Sequence, residues 1–130
     1  MSKKEKKKAW TVFSKFIRTR DCLKTTGDPE LGKCYTCDKV YPIAKLQAGH
    51  GISGRTNVLL FNEDITKAQC AGCNVYKGGL YEVFVPRLID EIGREKFDET
   101  ASMKGTPVKL DYKEIEKEYK KKLASLMGEL

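Results

Sequence analysis

CYTCDKVYPIAKLQAGHGISGRTNVLLFNEDITKAQCAGCN (34–74) opens on one Cys-x-x-Cys pair, Cys34 and Cys37, and closes on a second, Cys70 and Cys73. Two intervening residues let both sulfurs of a pair reach one ion from a single tight turn. Four such thiolates make one complete tetrahedral zinc set. Two separate pairs argue against a redox dithiol; an iron–sulfur cluster would use the same four ligands. The 32 residues between the pairs (38 to 69) exceed what a minimal zinc ribbon needs, and they hold the only histidine, His50. With the zinc set complete, His50 is not required as a ligand. A lone histidine is more often structural, but this one follows Ala48 and Gly49 at an expected strand end and precedes a glycine-rich loop, GISGRTN (51–57). A neutral imidazole there can take a proton from water near neutral pH. Asn74 directly follows the last cysteine; its position suits a helix N-cap or an oxygen ligand to a hard divalent cation.

The chain has 130 residues, 40% hydrophobic and 33% charged, with a formal net charge of +7. This length fits one domain that buries roughly two-thirds of its unfolded surface. A zinc site would add folding free energy that a small core lacks. No apolar run reaches the roughly 18 residues of a membrane span, and MSKKEKKKAW has no apolar stretch behind its lysines, so no signal peptide is expected. Cysteine use points to a reducing cytoplasm with metal-bound thiols. The charge is lopsided: residues 1 to 20 hold eight Lys and Arg against Glu5, while the other 110 hold 17 basic and 17 acidic groups. A basic N-terminus of this kind reads as a polyanion contact, with a solvated lysine tail as the plainer alternative.

Trp10, Phe13, Phe16 and Ile17 recur at helical spacing, predicting an amphipathic helix from Ala9 to about Cys22 with Lys15 and Arg18 on its other side. KVYPIAK and LQAGH predict a hairpin about Pro42 that ends at His50, and VLLF (58–61) a third short strand. Asn74 is expected to open a helix broken by Gly78, Gly79 and Pro86, with two helices meeting near Val85 and Pro86. Gly93 is a helix stop, and TASMKGTP (100–107) a linker. Asp111 and Glu114 form a capping-box variant. Tyr112, Ile115, Tyr119, Leu123 and Leu126 then make a stripe for docking on this domain or on a second copy, a homodimer. The expected organisation is a flexible basic arm (1–8), a zinc-containing domain (9–99), and a linker with a C-terminal amphipathic helix (100–130).

His50, Cys70-x-x-Cys73-Asn74 and Lys77-Gly78 resemble the HNH, or ββα-metal, nuclease pattern on a treble-clef zinc fold. More narrowly, FSKFIRTRDC (13–22), CYTC (34–37), QAGH (47–50), LLFNED (59–64), QCAGCN (69–74) and LIDEIGREKF (88–97) are similar to phage recombination proteins of the NinG (Rap) type. The resemblance runs from Phe13 to Glu99. It implies an α+β fold with an HNH core and flanking helices, and a structure-specific DNA endonuclease acting on branched recombination intermediates in the host cytoplasm. It implies His50 as general base, Asn74 as ligand to a catalytic Mg²⁺ or Mn²⁺ as in endonuclease VII-like members, and a structural Zn²⁺ on the four cysteines. Asn62 matches a loop-bracing asparagine. Gly49 departs from the pattern, since many HNH nucleases place a metal-binding aspartate there. Asp64, Glu63 and Glu82 are the candidate acids for the missing ligand.

The reading is metal-dependent DNA phosphodiester hydrolysis, with Arg55 and Lys77 on the scissile or a flanking phosphate and Lys15, Arg18 and Arg20 supplying affinity without sequence information. Rival readings are a non-catalytic zinc module that binds nucleic acid, a zinc-stapled adaptor, and a sequence-directed homing-type HNH enzyme.

Overall fold

The computed structural model describes residues 3–52 and 57–128. Its spine is helix α1 (Lys3–Thr26), whose Ala9, Phe13, Phe16 and Ile17 are buried along one face. Three- and four-residue spacing brings those side chains over one another. The helix begins at Lys3 instead of near Ala9, so the lysine-rich segment forms its first turns and is not a separate flexible arm. Lysine and glutamate propagate a helix readily once a packed apolar face anchors it.

Strand β1 (Leu31–Lys33) pairs antiparallel with β2 (Val40–Pro42), Lys33 opposite Val40, and the first cysteine pair lies in the connection. A 3₁₀ turn (Ile43–Lys45) leads into β3 (Leu46–His50), which pairs antiparallel with β4 (Thr66–Cys70), Leu46 opposite Cys70 and His50 opposite Thr66. The expected hairpin about Pro42 is therefore corrected: Val40–Pro42 and Leu46–His50 are strands, but each pairs elsewhere, and Ile43–Lys45 between them is a 3₁₀ turn. Pro42 cannot donate to a ladder and ends its strand. VLLF is not a strand either; helix α2 (Asn57–Leu60) is a single turn that buries Leu59 and Leu60. Four apolar residues are too few to carry a period.

The second cysteine pair runs into a π-helical turn (Gly72–Tyr76), so Asn74 sits inside a turn and does not cap a long helix. Gly78, Gly79 and Leu80 follow with φ of 61°, 96° and 50°, a left-handed stretch that breaks the chain direction. Helix α3 (Tyr81–Ile92) then passes through Pro86 without the expected break. Pro86 lies on the exposed side of α3, where water can serve the carbonyl it leaves unbonded. Gly93 ends the helix with φ 91° and donates its N–H to Ile89 O. Helix α4 (Arg94–Ser102) and helix α5 (Tyr112–Gly128) complete the described fold, the latter capped by Asp111 Oδ1 accepting from Glu114 N at 3.2 Å.

Two apolar clusters make up most of the core. Phe13, Phe16, Ile17, Ala48 and Tyr119 make one, and Ile52, Leu59, Ile65, Phe84 and Leu88 the other. The Tyr119 ring meets Phe13 edge-on at 4.8 Å and Phe16 at 5.3 Å, so the α5 stripe is spent on the chain's own α1. The core therefore continues past residue 99 into α5. No helix among the described residues is long and apolar enough to cross a membrane.

Candidate metal centre and its surroundings

Cys34, Cys37, Cys70 and Cys73 come together with all four sulfurs within 4.8 Å of one another. Sulfurs held about 2.3 Å from one tetrahedral ion stand roughly 3.8 Å apart, and Cys37 and Cys70 are at 4.0 Å. The cluster can hold a metal ion such as zinc. Tyr35 N donates to Ala68 O at 2.8 Å, which ties the first pair to the outer edge of β4. Cys73 N donates to Cys70 Sγ at 3.4 Å. Burial opposes a thiolate at Cys34, but bonds from Thr36 and neighbouring amides outweigh it and bring that thiol down to about 6. Burial instead holds Cys73 up at about 12. Metal loading would release the remaining protons. Cys22 stands apart, fully buried against Leu46 and Ala68, with its thiol raised to about 11 by burial and Asp21.

His50 closes β3 and is 9% exposed. Its ring stacks on Trp10 of α1, centroids 5.5 Å apart and planes 23° from parallel. Nε2 lies 3.0 Å from Leu60 O. A carbonyl only accepts, so Nε2 carries the proton, and in the neutral ring Nδ1 holds the lone pair. The α2 turn thereby sets the tautomer, and α1 sets the plane.

Gly49, one position earlier, faces the other side of the ribbon. A Cβ there would lie 1.9 Å from Gln69 Oε1 and 3.0 Å from Asn74 Oδ1, so no side chain fits without displacing Gln69. Each amide is held at its nitrogen end, Gln69 by a main-chain carbonyl that can only accept. Gln69 Nε2 donates to Thr36 Oγ1 at 3.1 Å and Gly79 O at 3.0 Å, and Asn74 Nδ2 donates to Gln47 Oε1 at 2.8 Å. Both oxygens are thereby aimed at the space beside Gly49. Gln69 is 1% exposed, and its Oε1 has no hydrogen-bond partner.

The other expected site residues divide. Asn62 Oδ1 accepts from Asp64 N and Ile65 N, which braces the loop before β4. Arg20 is committed inward: Nε to Asp21, Nη1 to Glu63 O and Nη2 to Thr66 O. Arg18 donates to Ser14 O and Ile43 O. Both arginines brace the fold, Arg18 through main-chain carbonyls and Arg20 through two carbonyls and the Asp21 carboxylate. Lys15 and Lys77 are exposed, and Arg55 lies outside the described residues. Among the acids, Asp64 pairs with Lys96 of α4 at 3.2 Å. Glu63 binds Tyr119 and Lys122 of α5, and Glu82 is exposed on the first turn of α3. A cavity of about 200 Å³ beside Cys34 and Tyr35 is lined by charges that pair with one another, Lys67 with Glu91 and Arg87 with Asp38. Sequence reasoning missed Gln69 and Trp10 as neighbours of the site. The glutamine before Cys70 gave no spacing signal, and Trp10 read as a plain core anchor.

A family model described as Bacteriophage Lambda NinG protein matches residues 2–129. Comparison with curated proteins and with solved structures gives no match.

Proposed function

Because the chain belongs to the bacteriophage lambda NinG protein family, we propose that it is a divalent-metal-dependent DNA endonuclease acting on branched recombination intermediates in the host cytoplasm. The observation that carries this reading is a histidine of fixed tautomer and plane at the end of β3, with Asn74 Oδ1 aimed at the space beside the preceding Gly49 on the ribbon's other face. The β3–β4 ribbon followed by a turn bearing Asn74 fits the ββα-metal arrangement, and the four-cysteine cluster is the structural zinc site beneath it.

His50 Nδ1 accepts the proton of a water as that water attacks phosphorus. The Leu60 carbonyl keeps the opposite nitrogen protonated and is a local dipole toward which the positive charge of the ring can settle. Asn74 offers an amide oxygen to a divalent cation, which when bound would offset charge developing on the phosphate. Lys77, exposed three residues after Asn74, contacts a phosphate oxygen. Tyr76 is 86% exposed and offers a face on which a splayed base can stack. Lys15 and the lysines of the first turns of α1 give sequence-independent affinity.

Purified zinc-loaded protein should nick forked and four-way-junction DNA in Mg²⁺ or Mn²⁺ in preference to linear duplex. In His50→Ala, cleavage should fall by about 10²-fold or more with DNA binding and melting behaviour retained. Undiminished cleavage in that variant sinks the assignment. A second reading, a zinc module that binds nucleic acid without cutting it, is favoured by the missing carboxylate at Gly49. It predicts junction binding with no metal-dependent nicking at all.

A further inference from the structure

We propose that Gln69 supplies the second oxygen ligand of the divalent-cation site, standing in for the carboxylate that position 49 lacks. The inference rests on the nuclease reading for its purpose, but its observations are independent of it. Gln69 Oε1 is a buried acceptor with no partner. An unmatched buried acceptor of this kind destabilises the fold unless a proton donor or a cation meets it. The nitrogen of the same amide is already engaged twice, by Thr36 Oγ1 and Gly79 O. Gly79 O can only accept, so the amide cannot be turned around without losing that bond.

The geometry supplies the rest. Gln69 Oε1 and Asn74 Oδ1 lie 1.9 Å and 3.0 Å from one point, where a Cβ of residue 49 would be. Two amide oxygens aimed at the same small space repel unless something positive lies between them. A carboxylate on residue 49 would have to pass through that point, and Gln69 Oε1 already occupies the region. Gly49 and Gln69 are thus one solution in two parts: removing the side chain from β3 admits an oxygen from β4. The register agrees, since Gln69 pairs with Gln47, two residues before Gly49, and so shares its face of the ribbon. Gln47 in turn accepts from the Asn74 nitrogen at 2.8 Å, and the Asn74 oxygen lies on the Gly49 side.

Both ligands are neutral, so the site should bind a divalent cation weakly in the free protein, and added negative charge should tighten it. Hard divalent cations accept Asn and Gln carbonyl oxygens, but carboxylates hold them more strongly. The substrate phosphate would contribute the missing charge.

The test is Mn²⁺ binding to the zinc-loaded chain, followed by the electron paramagnetic resonance of free Mn²⁺, with zinc content and circular dichroism as controls. Wild type should show one Mn²⁺ site from which Mg²⁺ displaces the ion. Gln69→Glu should tighten it at least tenfold, and Gln69→Met should weaken it at least tenfold. Gln69→Glu gives up the bonds to Thr36 and Gly79, so its melting temperature should fall without Mn²⁺ and recover with it. A purely structural glutamine predicts no such recovery. Where a variant does not fold, the wild type suffices: substoichiometric Mn²⁺ should broaden the side-chain amide signals of Gln69 and Asn74 before that of Asn62. Affinities within twofold of wild type in both folded variants, or broadening that spares Gln69, overturn the proposal and leave a bridging water beside Gly49. Mn²⁺ bound through Gln69 without any nicking would overturn the nuclease reading instead and leave this site standing.

Discussion

The two faces of the β3–β4 ribbon are built on opposite principles. Toward α1, Leu46, Ala48 and His50 alternate out of β3 against Cys22, Phe13 and Trp10, an apolar face closed by one stacked imidazole. On the other face, Gln47 and Gly49 lie across from Gln69 and Lys67, and the polar groups are fixed by named partners with a single acceptor left over. The apolar face needs only volume and shape to be stable. The polar face is stable only where donors and acceptors match, so its one mismatch marks where something external belongs.

The largest effect should come from breaking what both faces share. Cys73→Ser removes one sulfur of the four-cysteine cluster, in the turn after β4, and zinc content and the cooperative thermal transition should both be lost, as expected where metal binding is folding free energy. Retained zinc with an unchanged transition would mean that the cluster is not structural. Phe13→Ala attacks the apolar face alone. It should cost about 3–5 kcal/mol by urea unfolding while Mn²⁺ affinity in the remaining folded protein stays unchanged.

A smaller effect sharpens the polar face. Burial alone would raise the Glu91 carboxyl, but Lys67 at 2.7 Å and Tyr35 at 2.9 Å pull it down to about 2. A depressed carboxylate contributes stability that is present above its unfolded value, about 4.3, and lost as pH falls toward 2. Since Glu91 is partly exposed, solvent screening reduces the contribution to about 1 kcal/mol. Glu91→Gln should therefore lower stability near pH 6 by that amount and flatten its fall between pH 4 and pH 2. The smallest effect concerns neither face: Lys15→Ala should leave melting unchanged and reduce the salt slope of DNA binding by about one unit.

How far the chain could be read follows from how local each signal is. The cysteine pairs are local geometry, and the cluster formed as their spacing required. The α5 stripe and the Gly93 stop were equally legible, each resting on a period or a single backbone preference. Strand pairing is not local. KVYPIAK and LQAGH are adjacent and each contains a strand, yet the strands' partners lie at residues 31–33 and 66–70. Arg20 read as a DNA contact because charge is visible in a sequence and carbonyl acceptors 43 and 46 positions away are not. Gln69 was invisible for the same reason: its meaning depends on a side chain that Gly49 does not have.

The packing of Tyr119 against Phe13 also has a consequence for how the chain is made. The two residues are 106 positions apart, and a contact of such separation is reached late in folding. During synthesis α1 emerges before α5, so its face bearing Phe13 and Phe16 is covered by that helix only later. The lysines of its first turns then serve a second end. They keep an unfinished amphipathic helix repelled from its copies on neighbouring chains until its own covering helix arrives.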